Sequence, residues 1–190
     1  QKVEARNFDI RKTLIKFDNV LNDQRQVIFS QRKEAIKTDE IFSYSNNFLN
    51  EILDNLLMNK KKNVANLKNN EFENKLKLIL GKNFEENEFK NLLSLNDKEL
   101  KNKIVDKFNI KRKERIMLLG EKQSKEIEKR IFLQSIDINW KSHIQYLEQL
   151  RQVIGLRSYG QRDPLIEYKK EAFDLFENLL NKLKQDLITI

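Results

Sequence analysis

The sequence predicts an all-α protein, on three observations. Only four glycines and one proline occur in 190 residues, apolar residues recur at three- and four-residue steps over long stretches, and charged residues, 35% of the chain, fall between those apolar positions. An all-β chain of this length would need turn residues between many short strands. Hydrophobic residues at 39% suffice for a core if helices present them on one face. The pattern divides into a long first helix (1–37), an inserted small helical subdomain (38–120) and a helical hairpin (121–190).

The first helix is read from Phe8, Ile10, Leu14, Phe17, Leu21 and Ile28, with Arg11, Lys12, Lys16, Asp18, Asp23 and Arg25 between them, the pattern of an amphipathic rod. Asn7 or Asp9 can cap its start, and no breaker intervenes before about Lys37. A helix of roughly 30 residues spans ~45 Å, which suits a strut.

From Thr38 to Gly120 asparagine and lysine become frequent and the apolar steps shorten, which predicts short helices joined by polar turns. Gly81 fits a C-terminal cap, and Ser94 or Asn96 an N-cap, with Glu99 three residues after Asn96. The run Asn59 to Asn63, NKKKN, reads as a solvated turn.

Long periodicity returns after Gly120. Phe132, Ile136, Trp140, His143, Leu147, Leu150 and Ile154 share one helical face, and Tyr168, Ala172, Leu175, Leu179, Leu183 and Leu187 repeat the pattern. Two helices with a short connection pack antiparallel. At the connection, LRQVIGLRSYGQRDP (150–164), Asp163 is placed as N-cap, Pro164 as first helical residue and Glu167 in the first turn. Gly155 or Gly160 would take the positive φ that ends the incoming helix. Tyr159, Arg157 and Arg162 are required by no turn.

The balance of 37 Lys+Arg against 29 Asp+Glu gives a net charge of +8, which favours acidic partners, although lysines dispersed among glutamates and asparagines also serve simply to solvate helix faces. Without cysteine, neither a disulfide framework nor a thiolate metal site can form. No apolar run reaches the length of about 18 residues that a spanning helix needs, and the first residues lack the order of a signal peptide. GKN at 81–83 has neither the earlier glycine nor the Ser/Thr of a phosphate loop. His143, the single histidine, lies on an apolar face and reads as a satisfied core residue, as does Trp140. Glu126 with Arg130 is an ordinary i, i+4 pair. No catalytic or metal-binding constellation is found.

Two stretches resemble one family. QKVEARNFDIRKTLIKFDNVLNDQR (1–25) is similar to the start of the helical scaffold domain of SecA, the ATP-driven motor of bacterial preprotein translocation, with its V-E-x-R-N-F-D-x-R-K pattern, Y/F-D-x-V and N-x-Q-R. FLQSIDINWKSHIQYLEQLRQVIGLRSYGQRDPLIEYKKEAFDLF (132–176) resembles the other half of that scaffold, including its two-helix finger. The resemblance implies that 38–120 corresponds to the helical wing domain, by position and helical pattern.

It further implies that Tyr159, at the tip of the finger, contacts the moving preprotein. Arg157, Gln161 and Arg162 would supply polar and cationic contacts to the preprotein or the channel's loops; the alternative is that they cap the tip's own carbonyls. Arg6, Asn7, Arg11 and Asp18 match the scaffold pattern, where either docking to the motor domains or a plain helix-surface role is implied. Many relatives carry glycine where this chain has Val153, so the bend would fall to Gly155. The expected partners are the motor domains and the preprotein cross-linking domain of the same chain, the SecYEG channel and preprotein, with anionic lipid secondary and no specific nucleic acid. No cofactor is expected in these residues: ATP and Mg²⁺ belong to motor domains, and zinc to a cysteine-rich tail, that lie outside them. The expected role is non-catalytic coupling in the bacterial cytoplasm and at the cytoplasmic face of the inner membrane. The alternative function is a basic helical module that binds nucleic acid or an anionic membrane through its lysine-rich middle.

Overall fold

A computed structural model describes residues 2–37, 40–63, 69–80, 86–160 and 163–188. Among them are seven α-helices and one 3-10 turn: α1 Lys2–Lys37, α2 Ile41–Asn63, α3 Asn69–Leu80, α4 Glu86–Leu93, α5 Asp97–Leu119, α6 Glu121–Ile154, the 3-10 turn Gly155–Gly160, and α7 Pro164–Ile188. The all-α expectation holds. Two compact units form, one from Gln1–Lys37 with Leu133–Leu183, the other from Thr38–Phe132 with Lys184–Ile190.

The first unit is a three-helix arrangement whose directions follow from its contacts. Asp18 meets Arg151 at 2.9 Å, Gln24 meets His143 at 2.8 Å and Arg32 pairs with Asp137, so partners fall along α6 as they rise along α1, and the two run antiparallel. Phe17 packs edge-on against Tyr168 with centroids 4.8 Å apart, and Gln24 reaches the Ala172 carbonyl at 2.9 Å, so α1 runs parallel to α7. Its core joins Phe17, Leu147, Leu150, Ile154, Tyr168 and Ala172. Each large side chain buried there contributes about 1.5–3 kcal/mol.

The first helix starts earlier than its cap signals suggest, because Asn7 and Asp9 lie inside α1 rather than ahead of it. Interior Asn or Asp costs only about 0.7 kcal/mol relative to alanine, less than interrupting a helix that has already nucleated. Phe8 and Leu14 are exposed, and among the described side chains of the α1 stripe burial begins at Phe17.

The second unit is built on α2, against which α3 and α5 pack, with α4 against α5. Its core combines Leu49, Ile52, Leu53 and Leu56 of α2 with Leu76, Phe89, Leu92, Leu100 and Ile104, and Ile188 also enters it. Lys101 pairs with Asp54 at 2.6 Å and Lys184 with Glu51 at 2.5 Å. The expectation of short helices holds for α3 and α4, of 12 and 8 residues, and is corrected for α2 and α5, which have 23 residues each; NKKKN continues α2 instead of forming a turn. Lysine and asparagine disguised these helices because few apolar residues are needed when each buries at a step of four, as Leu100 and Ile104 do. Of the candidate caps, Asn96 takes the role, its side chain accepting from the Glu99 N–H at 2.9 Å. Ser94 instead donates to the Asn91 carbonyl at 2.8 Å. Gly81 lies outside the described residues.

Candidate functional site

The turn between α6 and α7 is assembled by local chemistry. Pro164 opens α7 where an amide donor is dispensable. Asp163 caps it through Oδ1, which accepts from the Leu165 N–H at 2.8 Å, while the Asp163 carbonyl accepts from the Glu167 N–H at 3.1 Å. These are the roles the sequence assigns to both residues.

The incoming side differs from expectation. Gly155 does not adopt a positive φ; the only positive-φ glycine among the described residues is Gly120. Instead α6 tightens into the 3-10 turn Gly155–Gly160, a common way to close a helix end without a left-handed residue. A Cβ on Gly155 would meet nothing within 4 Å, so neither packing nor backbone conformation demands glycine there.

Arg157 bridges the turn. Its Nη1 donates to Glu167 Oε2 at 2.9 Å and its Nη2 pairs with Glu171. The hydrogen bond to Glu167, aided by the Glu171 charge, raises the guanidinium's already high pKa, so Arg157 stays cationic. It ties the 3-10 turn to the first two turns of α7. Tyr159 lies in this turn by its backbone; its side chain, with Gln161 and Arg162, lies outside the described residues. Val153, Leu156 and Ile166 are exposed around the connection, an apolar surrounding that helical periodicity alone did not single out.

The other four candidate residues lie on α1. Asn7 and Arg11 are exposed, and the Arg6 side chain lies outside the described ones. Asp18, although exposed, accepts from Arg151 at 2.9 Å and so joins α1 to α6. The structure therefore gathers Arg157 with α7 and Asp18 with α6, and brings no pair of these eight candidates into contact among the described side chains.

A buried polar relay stands behind the hairpin. Gln24 Nε2 donates to the Ala172 carbonyl, which fixes its Oε1 as the atom facing His143 Nε2 at 2.8 Å. A carbonyl oxygen only accepts, so Nε2 carries the imidazole proton. One glutamine thus joins α1, α6 and α7. Burial lowers the His143 pKa from the ordinary 6.5, and Trp140 stacks on its ring with centroids 5.5 Å apart. The satisfied core histidine foreseen from the sequence is present; its partner was missed. Gln24 was legible in principle, because it falls on the stripe Phe17, Leu21, Gln24, Ile28 where a polar residue has no place unless it is paired.

A second polar cluster lies within the other unit. Glu128 is 1% exposed and accepts from Ser45 Oγ at 2.9 Å, from Arg112 Nε at 3.2 Å and from Arg115. The Arg112 guanidinium lies 4.6 Å from the ring centroids of both Phe42 and Phe108, and burial is the main cause lowering its pKa, opposed by Glu128. Both charged residues occupy four-step stripes, Ser124–Glu128–Phe132 and Ile104–Phe108–Arg112, which is the signal that could have found them. Among the described residues no group of three or more His, Cys, Asp and Glu could hold a metal ion, and no helix is long and apolar enough to cross a membrane.

These geometries supply a braced hairpin, and relatives of the chain put it in context. The family model described as the SecA wing and scaffold domain matches residues 1–190. The protein translocase subunit SecA of Pelagibacter ubique is 66% identical over 190 residues, covering 100% of this chain and 22% of that protein. The subunits of the same name from Bradyrhizobium diazoefficiens and Caulobacter vibrioides are 40% and 37% identical, each over 97% of this chain and 20% of the relative. The chain thus spans about a fifth of the length of the curated relatives it matches. An all-helical chain with a long first helix, a hairpin closed by Asp163–Pro164 and a family match from end to end belongs to the SecA wing and scaffold family.

Proposed function

We propose that these residues act as the non-catalytic coupling portion of a protein-translocating motor. They pass nucleotide-driven motion of motor domains to a two-helix finger that moves preprotein through the SecYEG channel. In this reading 1–37 and 121–190 form the scaffold and 38–120 the wing, and α1 is the strut on which motor domains dock through Arg6, Asn7, Arg11 and Asp18. ATP, Mg²⁺ and zinc belong to other domains of the motor, which works in the cytoplasm and at the cytoplasmic face of the bacterial inner membrane.

The observation that carries this reading is the ion pairing of Arg157 in the turn at the end of α6 with Glu167 and Glu171 of α7. A 3-10 turn held to α7 by Arg157 on Glu167 and Glu171 can transmit a push, where a loose loop would absorb it. Tyr159 sits in that turn. A phenol suits contact with a passing chain because its ring presses on varied side chains while its hydroxyl bonds to backbone, so grip need not depend on sequence. Arg157 serves the finger as a brace, and Gln161 and Arg162 supply polar contacts to the preprotein or the channel.

The test is Tyr159→Ala in a full-length translocase carrying this chain. Transport of a preprotein into SecYEG vesicles should fall to a small fraction of the parent rate while basal ATP hydrolysis persists. Transport at the parental rate would overturn the assignment of Tyr159.

A further inference from the structure

Apolar packing holds the three helices of the first unit together without fixing how far each is advanced along its neighbour, because burial of apolar surface is non-directional. The partly exposed ion pairs Asp18–Arg151 and Arg32–Asp137 add little to that, since surface pairs are weak and long side chains can follow a slide. Gln24 is different. It is buried and uses both ends of its amide: Nε2 donates to the Ala172 carbonyl of α7, and Oε1 accepts from His143 Nε2 of α6.

Neither partner recurs one turn away. On α7, Ala172 is fully buried, and its small methyl lets a side chain from α1 reach the helix backbone. Four residues before and after it stand Tyr168 and Phe176, whose rings would bar that approach. On α6, one turn from His143 lies Leu147, which offers no polar side-chain atom. One turn the other way lies Asn139, whose Nδ2 already donates to the Ser135 carbonyl and hydroxyl at 2.9 and 3.0 Å. A slide of α1 by a turn against either neighbour therefore leaves the buried amide, the buried imidazole or both without a partner, which is costly in a dry interior. A polar group buried in a helix seam in this way selects one register among those that the apolar residues would accept.

We infer that Gln24 is the positioning residue of the hairpin: its amide sets how far α7 is advanced along α1 and α6, and hence where the turn that carries Tyr159 stands. The functional consequence rests on reading that turn as the tip of a finger, whereas the register is a property of the three helices alone.

Two variants separate the hydrogen bonds from the bulk. Gln24→Met keeps the length of the side chain and removes both bonds; Gln24→Glu keeps an acceptor for His143 and turns an oxygen toward the Ala172 carbonyl. The chain has no cysteine, so Asn22→Cys on α1 and Lys170→Cys on α7, both exposed, can carry a pair of spin labels for distance measurement by pulsed electron resonance. With Gln24 in place the distances should form one narrow peak. In both variants a second population should appear, displaced by roughly one helical turn, ~5 Å, with the far-ultraviolet circular dichroism retained. In a full-length translocase carrying this chain, both variants should move about fivefold less preprotein per ATP hydrolysed, with basal hydrolysis within about twofold of the parent. A single unchanged peak in both variants overturns the proposal, as does a parent that already populates both distances. Loss of helical circular dichroism in both variants also overturns it, by making Gln24 a folding residue. A displaced population with parental transport per ATP upholds the register and tells instead against the finger reading, which Tyr159→Ala tests separately.

Discussion

Glu128 is the most exacting test of how the second unit is held. Its carboxylate, 1% exposed, faces Arg112, Arg115 and Ser45. In Glu128→Ala the Arg112 guanidinium, only 7% exposed, stays charged and loses its counter-ion. Breaking a buried pair from one side costs about 3–5 kcal/mol. Two features place this site near the lower end. Arg112 keeps the Asn46 side chain as a 2.7 Å acceptor and its two phenyl faces. Arg115, already carrying an unpartnered Nε and only partly buried, can turn to water. A loss of about 3 kcal/mol with a urea slope of about 2 kcal/mol per molar lowers the midpoint by about 1.5 M. Urea titration followed by circular dichroism at fixed pH measures it directly. The companion variant Arg112→Met with Glu128→Leu removes both charges together and should recover most of that loss, since apolar replacement of a buried pair is often neutral. A Glu128→Ala midpoint within a few tenths of a molar of the parent, or a double variant less stable than the single one, would refute the reasoning.

Two further outcomes are expected. Burial lowers the folded His143 pKa below the ordinary 6.5, so the unfolded chain binds the proton more readily; stability contributed by neutral His143 is fully present above about pH 6.5 and is lost as pH falls through the lower folded value. Stability measured from pH 8 down to about pH 5 should therefore decline over this window, and His143→Gln should remove that part of the decline. Trp140, stacked on the same ring and the chain's one tryptophan, gives the site its own fluorescence midpoint, expected below that of free histidine. Gly155→Ala should leave the fold intact and stabilise it by about 0.4–1 kcal/mol, because no positive φ is needed and no neighbour lies within 4 Å of the added Cβ; a thermal midpoint lowered by several degrees would show that Gly155 is conformationally required.

What short-range physics decides was readable from the order of residues alone. Helix content follows from the scarcity of Gly and Pro, and the faces of α6 and α7 follow from periodicity: Phe132, Ile136, His143, Leu147, Leu150 and Ile154 are all buried as their spacing requires. Asp163, Pro164 and Asn96 announce helix starts because a cap acts within three residues. Which polar residues stay in the interior was settled by contacts between helices. Whether Gln24, Arg112 and Glu128 sit in water or in a core depends on a partner 119, 16 or 83 residues away, and no local pattern encodes that partner. The same holds for the end of α6. A glycine permits a left-handed cap but does not impose one, and here the bonds of Arg157 to Glu167 and Glu171 accompany a 3-10 closure instead.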